Sequence, residues 1–542
     1  MISRRLIKKI DELLRAEQGC VYKDPGGRLN ICLVYPNTYH IGMSNLGFQG
    51  VYGLLNSRAD VVCERSFLPD REDLREYERT NSVLFSYESK RPLKEFDIVA
   101  FSVSFENDYL HIPEILRLSR IPLLTKQRDA TDPILLLGGV CASFNPEPLA
   151  DMFDLVYVGE AEPGLLDMVD IFKKAADREE FLKEIASKQG FYVPSFYEIE
   201  YNEDGTIRKR RAIREAPEII TKMTLDDIDR AVEHVITTHN TEFADMMLIE
   251  AMRGCVHSCR FCLAGHIYNP PRQREFESLK AQIDKAKKRG LRVGLIGPSL
   301  SDYRYIKEAL QREDVSFSIT SVRANRRTEE LLCLLKGKRS ISIAPEAGSQ
   351  RLRDIINKKI KEEDILRISE RILSEGIEVL RLYFMIGLPT ETDEDIMEIV
   401  NLVKKIRRTS SRGRITLSIS TFVPKPFTPF QWLPMVEAST AKRRLKIIKD
   451  AFKTERSVNV LHDVVKYAYL QGVLARGDRR LIRLLTYSKA EPSRWQQTMQ
   501  SHGLNPDFYL FRRRTFDEIL PWDFIDAGVK KEFLWRQFQR IL

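Results

Sequence analysis

Between about Leu29 and Glu160 the chain alternates short apolar runs with amphipathic stretches of helical period. Ile31-Cys-Leu-Val-Tyr35 ends at Pro36 and predicts a first strand. A loop bearing Gly and Asn follows, then a helical pattern from Phe48 to Leu55. Val61-Val-Cys63, Asp97–Ser104, Ile134–Gly139 and Leu155–Glu160 predict four more strands. Runs that are apolar throughout, rather than alternating, suit strands buried on both faces, and their alternation with helices predicts a doubly wound parallel sheet. Ligands of such sheets lie beyond the carboxyl ends of the strands, where Ser102, Ser104, Gly138, Gly139 and Gly159 fall.

A second alternating series runs from about Asp245 to Val423. Its expected strands are Met246–Met252, Arg292–Gly297, Val315–Thr320, Ser340–Glu346, Val379–Gly387 and Ile415–Val423, with helices such as Glu363–Ser374 and Asp393–Arg407 between them. Six βα units predict an open or closed parallel barrel with function at the strand C-termini. Between the two series the pattern weakens, and residues alternate around Asp204-Gly205, a hairpin signal. Lys209-Arg-Arg211 is expected as a solvated edge of that hairpin. After Gln431 the helical stretches are Ala441–Phe452 and Val458–Val473. The expected organisation is α/β: an N-terminal helix (1–28), a doubly wound domain (29–180), a linker with a hairpin (181–240), a partial barrel (241–430) and a small basic α-rich domain (431–542).

Composition narrows the classes. The 542 residues are 43% hydrophobic and 30% charged, which describes a globular chain of several domains. No run of eighteen apolar residues is present, so no membrane span is expected. The basic start, Met1-Ile-Ser-Arg-Arg-Leu-Ile-Lys-Lys-Ile, has no long apolar region behind it and reads as a short amphipathic helix. Eight cysteines in this length do not suggest a disulfide framework. Net charge is +9, and from Gln431 onward 21 basic residues face 12 acidic ones, so the whole excess lies in the last fifth of the chain. Basic runs there (Lys442-Arg-Arg444, Arg479-Arg480, Arg512-Arg-Arg514) are interleaved with Tyr467, Tyr469, Trp495, Phe508, Tyr509, Phe511 and Trp522. That mixture suits either a nucleic-acid grip or a charged helical cap. Pro521-Trp-Asp-Phe-Ile-Asp526 and Phe533-Leu-Trp-Arg-Gln-Phe538 read as docking surfaces.

The chemistry is concentrated in Cys255-Val-His-Ser-Cys259-Arg-Phe-Cys262, directly after the first barrel strand. Three thiolates from one short loop make a soft-metal site best matched to a [4Fe–4S] cluster. A cubane has four irons, so one would be left open for another ligand. A zinc loop is the alternative, but structural zinc needs a fourth ligand. His257 and His266 complete no familiar spacing, and His257 is expected as a solvated loop residue. Thiolates on a cluster need reducing surroundings, so the cytoplasm is the expected compartment.

The cysteine spacing, with Phe261 before the last cysteine, resembles the signature of radical S-adenosylmethionine (SAM) enzymes. The resemblance implies that the open iron chelates SAM and that its sulfonium is cleaved to a 5′-deoxyadenosyl radical, with the electron coming from a flavodoxin- or ferredoxin-like donor. It also implies a SAM pocket from Gly297-Pro-Ser299, Arg323, Glu346 and Gly387, each at a barrel-strand end. The barrel motifs are similar to those of the methylthiotransferases.

The first half resembles the cobalamin-binding domain that precedes the barrel in many such proteins, through Ser102-Val-Ser104, Gly138-Gly139 and Gly159-Glu160. The usual Asp-x-His-x-x-Gly stretch is absent. In Thr38-Tyr-His-Ile-Gly42 the histidine stands one residue too close to the glycine. Either the cobalt has no protein imidazole or the fold is kept without the cofactor. Cys20, Cys32, Cys63 and Cys141 could hold a second cluster, but Cys32 and Cys63 lie in apolar strands and read as small hydrophobes. The expected function is radical C–H activation, with cobalamin-dependent methylation and RNA modification as alternatives. The rival is a non-catalytic RNA-binding or assembly protein with a structural metal loop.

Overall fold

The computed structural model describes residues 3–319, 321–335, 338–487 and 492–541. The chain divides into two compact units. The first comprises Met1–Leu248, Val473–Pro506 and Asp517–Gly528, the second Ile249–Gly472, Asp507–Phe516 and Val529–Leu542. Residues 181–240, expected as a linker, thus belong to the first unit. Residues 431–542, expected as a domain of their own, are divided between the two.

In the first unit helix α1 (Arg4–Arg15) buries Leu6, Ile10 and Leu14, one stripe of helical period. Strand β1 (Leu29–Tyr35), helix α2 (Leu46–Asn56), strands β2 (Val61–Phe67), β3 (Ile98–Ser102) and β4 (Ile134–Gly138), helix α3 (Val140–Phe144) and strands β5 (Leu155–Tyr157) and β6 (Phe191–Tyr192) follow. They form one six-stranded sheet in the order β2-β1-β3-β4-β5-β6. The first five strands are parallel, and β6 runs antiparallel at the edge. Because the chain moves from β1 outward to β2 and then back past β1 to β3, the topological switch point lies between β1 and β3, where a crevice forms at the carboxyl ends.

Charge inside this unit is paired. Arg65 on β2 is buried and lies 2.8 Å from Glu17 and 2.7 Å from Glu88, both also buried, which ties the chain after α1 to the sheet. The hairpin forms as expected, from β7 (Tyr197–Tyr201) and β8 (Ile207–Ala212). Its basic run departs from expectation in the middle. Lys209 and Arg211 are exposed, but the Arg210 guanidinium stacks 3.8 Å from the Tyr197 ring centroid and 4.0 Å from that of Phe524. Pro521–Asp526 docks inside this unit: Trp522 is buried, and Ile525 and Asp526 pair with Ile220 and Thr221.

The second unit begins within strand β9 (Met246–Glu250). Its further strands are β10 (Arg292–Ile296), β11 (Phe317–Ser318), β12 (Ser321–Val322), β13 (Ser340–Glu346), β14 (Val379–Ile386), β15 (Arg414–Thr421) and β16 (Val458–His462). Intervening helices include α4 (Gln350–Ile355), α5 (Glu362–Ser374), α6 (Asp393–Thr409) and α7 (Ala438–Ala451), and α8 (Val465–Arg476) follows β16. Strands are ordered β9-β10-β11 and β12-β13-β14-β15-β16. The third expected strand is present as two short pieces, β11 paired with β10 and β12 paired with β13. Thr320, the last residue of that expectation, lies outside the described residues. Helix α6 starts at a reciprocal cap in which the Thr392 amide donates to Asp395 and the Asp395 amide to Thr392.

A further expectation is corrected. Val458–Val473 is not a continuous helix. Val458–His462 is a seventh parallel strand position, with Val458 opposite Ile415 and His462 opposite Ile419. Tertiary pairing with a ready sheet edge overrides a local pattern that also fits a helix. The apolar end, helix α9 (Lys531–Gln539), stacks within this unit: the Trp535 and Phe538 rings lie 4.9 and 5.7 Å from that of Trp432.

Candidate functional site

The cysteine loop leaves the end of β9 and carries all its donors in a few residues. Cys259 is buried, while Cys255 and Cys262 are half-buried. All eight cysteines are free thiols. Burial pushes the Cys262 thiol up to about 11, with the neighbouring Cys259 adding to the shift. Burial likewise raises Cys255, opposed by the His257 amide and by the Arg323 guanidinium. These thiols therefore favour the protonated form until a cationic group takes the proton's place. Among the described residues no three His, Cys, Asp or Glu side chains converge on a point that one ion could share. A cubane takes each thiolate on a different iron, so three separate soft donors fit it.

A strap after α4 holds this loop. The Arg260 amide donates to the Ile356 carbonyl at 3.0 Å, and its Nη1 donates to the carbonyls of Ile355 (2.6 Å) and Asp354 (3.2 Å). Asn357 Nδ2 donates to the Ser258 carbonyl at 2.7 Å. Lys358 Nζ lies 5.9 Å from the centroid of the Phe261 ring and 2.9 Å from Glu346 Oε1. Arg323 Nη2 donates to the carbonyls of Lys358 and Lys359. The strap thus joins the cysteine loop, Arg323 and Glu346, three of the features read from the sequence.

The remaining SAM-pocket candidates are more committed to the protein. Ser299 Oγ donates to Asp302 Oδ2 at 2.6 Å, and His257 Nε2 lies 2.7 Å from the same oxygen. Burial opposes ionisation of Asp302, but the bonds from His257 and Ser299 outweigh it and hold the carboxyl below its usual value. His257 is therefore a paired residue and not a solvated one, corrected because its ring folds back onto the turn after β10. His266 is buried, with Nδ1 at 2.8 Å from the Cys262 carbonyl. Gly297 packs beneath the Met252 side chain, and the Gly387 amide donates to Glu391 Oε2 at 2.6 Å. Asp302, Lys358, Arg260 and Asn357 were not legible as site residues. The acid one turn after Ser299 was the available signal for Asp302, whereas the strap residues carry no local motif.

At the strand ends of the first unit, Asn45 Nδ2 donates to Ser104 Oγ at 3.2 Å. Gly139 and Gly159 both have positive φ, and a side chain on either would meet backbone, Val103 O at 2.4 Å and Met223 O at 2.3 Å. These three residues serve the protein's own packing. Ser102 and Gly138 remain accessible, and nothing but the Phe101 carbonyl, at 3.8 Å, approaches the space beside Gly138. That pair fits a ligand laid against the strand ends. His40 is exposed beside Glu242. Cys32, Cys63 and Cys141 are buried.

Part of the basic and aromatic C-terminal set is structural, while Lys442, Arg443, Tyr467 and Arg513 are exposed. Arg444 pairs with buried Glu391 at 2.7 Å and Arg479 with buried Glu147 at 2.9 Å, while Arg514, Tyr469, Tyr509, Trp495 and Trp522 are buried.

Fold and site together define an α/β protein with a doubly wound sheet and a parallel barrel whose first strand leads into a three-thiol loop. The model of the radical SAM superfamily matches residues 249–403, and that of the N-terminal region of radical SAM proteins matches residues 47–194. The chain belongs to the radical SAM superfamily and is an enzyme of that class, so the non-catalytic alternative falls away. An uncharacterized protein of Methanocaldococcus jannaschii is 32% identical over 467 residues, covering 85% of this chain and 91% of its own length. The tRNA-2-methylthio-N(6)-dimethylallyladenosine synthase of Thermotoga petrophila is 26% identical over 171 residues, 28% of this chain and 38% of that protein. Among solved structures, the cobalamin-dependent S-adenosylmethionine radical enzyme OxsB with aqua-cobalamin bound has a TM-score of 0.50 at 14% identity, over 95% of this chain and 80% of that one. That likeness is one of fold. No described helix is long and apolar enough to cross a membrane.

Proposed function

We propose that Cys255, Cys259 and Cys262 hold a [4Fe–4S] cluster and that the barrel uses SAM for radical activation of a substrate C–H bond. The observation that carries this reading is the strap, which binds the three-thiol loop to Arg323 and Glu346 within one network. When bound, the cluster supplies the electron that cleaves SAM to a 5′-deoxyadenosyl radical. The chain's own residues provide the setting. Arg323 offers a guanidinium suited to a carboxylate, and Glu346 an acceptor for an ammonium or ribose hydroxyls. The strap fixes the loop that carries the thiols. A reducing protein of flavodoxin or ferredoxin type, in the cytoplasm, would supply the electron.

Methyl transfer is the second reading, favoured by accessible Ser102 and Gly138 at the strand ends and by a fold shared with a cobalamin-dependent enzyme. A corrinoid held there would supply the methyl group. An RNA substrate, the class named for the Thermotoga relative, draws support only from the exposed part of the C-terminal set that suggested it (Lys442, Arg443, Tyr467 and Arg513), because Arg444, Arg514 and most of the aromatic rings above are buried.

Anaerobic reconstitution, followed by dithionite and SAM, tests the main reading. The expected result is 5′-deoxyadenosine from the parent protein and none from C255A, C259A or C262A, each folded and poor in iron. Full iron content with no 5′-deoxyadenosine would refute it. Corrinoid absorption in protein from a cobalamin-fed host tests the second reading.

A further inference from the structure

Lys358 is nine-tenths buried beside the cysteine loop. Its position is held from both ends. The amide donates to the Arg353 carbonyl at 2.8 Å, and its own carbonyl accepts from Arg323. The ammonium meets Glu346 Oε1 at 2.9 Å and lies over Phe261, the residue before Cys262.

The backbone is strained to achieve this. Asn357 (φ 54°), Lys359 (φ 51°) and Glu346 (φ 68°) are three of the nine described non-glycine residues with positive φ. Such a conformation is strained for an L-residue other than asparagine. Two flank Lys358 and the third is its ion-pair partner. A strained backbone persists only where its surroundings over-determine it.

Electrons added to a cluster feel nearby fixed charge strongly, because the dielectric is low and screening is weak. We propose that the Lys358–Glu346 pair sets the reduction potential of the cluster, with the Lys358 ammonium favouring the reduced state and Glu346 opposing it. This rests on the reading that Cys255, Cys259 and Cys262 hold the cluster.

The two partners make opposite predictions. Removing the ammonium in K358M also leaves Glu346 unbalanced, and both changes disfavour the reduced cluster. Removing the carboxylate in E346Q leaves Lys358 unbalanced and favours it. The experiment is an EPR-monitored potentiometric titration, without SAM, of reconstituted parent, K358M, K358R and E346Q, each matched for iron content and circular dichroism. The expected result is about a tenfold fall in the reduced-to-oxidised ratio at fixed potential for K358M, equivalent to 59 mV for one electron. A rise is expected for E346Q, and K358R should stay near the parent. Should K358M fail to fold, E346Q and K358R still decide the matter. Potentials unchanged in the variants, or K358M and E346Q moving in the same direction, would overturn the proposal. Failure of the cluster reading is distinct: none of the four proteins would then show a reducible cluster.

Discussion

At the residue scale, burial decides what a charged side chain is for. Asp108, in the short 3-10 helix Glu106–His111 after β3, is buried, accepts from Asn37 Nδ2 at 2.8 Å and has the His111 ring 3.6 Å away. Burial pushes its carboxyl up to about 7, against which the Asn37 bond works and to which Glu106 adds. Its ordinary value is about 3.9. The folded state therefore binds more protons than the unfolded chain between these values. Stability from this group is complete below the ordinary value and is lost as pH rises through 7, at up to about 1.4 kcal/mol per unit. Urea unfolding of the parent at pH 5 and pH 8 should show this loss, and D108N should flatten it. An equal slope in both proteins would assign the pH dependence elsewhere. The same scale explains what the sequence hid. The three cysteines and Phe261 are contiguous and announce a soft-metal loop by spacing alone, whereas Lys358 and Asp302 gain meaning only from the partners the fold gives them.

At the element scale, strand-end geometry separates glycines kept for packing from those left open. Gly159 follows β5 with φ 127°, and an added Cβ would meet Met223 O at 2.3 Å. Met223 exchanges backbone hydrogen bonds with Val158 (3.0 Å) and Glu160 (3.0 Å), so it cannot withdraw freely. G159A is expected to destabilise the first unit by about 3 kcal/mol, read as a lower urea midpoint at unchanged slope. G138A, with only one atom near and at 3.8 Å, should cost little. Comparable losses in the two variants would contradict this distinction. The alternating strands and the Asp204-Gly205 hairpin were legible because period and turn chemistry are local. Val458–His462 was not, because its identity comes from the free edge of β15.

At the scale of the whole molecule, the first unit is discontinuous in sequence. Asn145, buried at the end of α3, donates to the carbonyls of Ala475 (3.1 Å) and Gly477 (2.8 Å). Arg479 donates to Glu147 Oε2 (2.9 Å) and to the Tyr192 hydroxyl (2.5 Å), both buried. Ending the chain after Gly472 removes Arg479, the cationic partner of buried Glu147, and breaking a buried pair by removing one partner costs about 3–5 kcal/mol. The truncated protein is expected to lose the cooperative unfolding of the sheet, seen by calorimetry, although every strand of that sheet lies before residue 200. R479A should reproduce part of the loss. A truncated chain that unfolds as the parent does would show the late segment to be dispensable.

The sequence by itself determined the α/β class, the parallel strands of both series, the hairpin and the three-thiol loop at a barrel-strand end. Each follows from residues close together along the chain, through period, turn chemistry or ligand spacing. The tertiary structure decided which arginines of the basic C-terminal region are buried partners, that the region is divided between two units, and that a strained strap sets Lys358 and Glu346 against the cysteine loop. These depend on residues far apart in sequence, whose pairing is fixed by burial and desolvation rather than by local pattern.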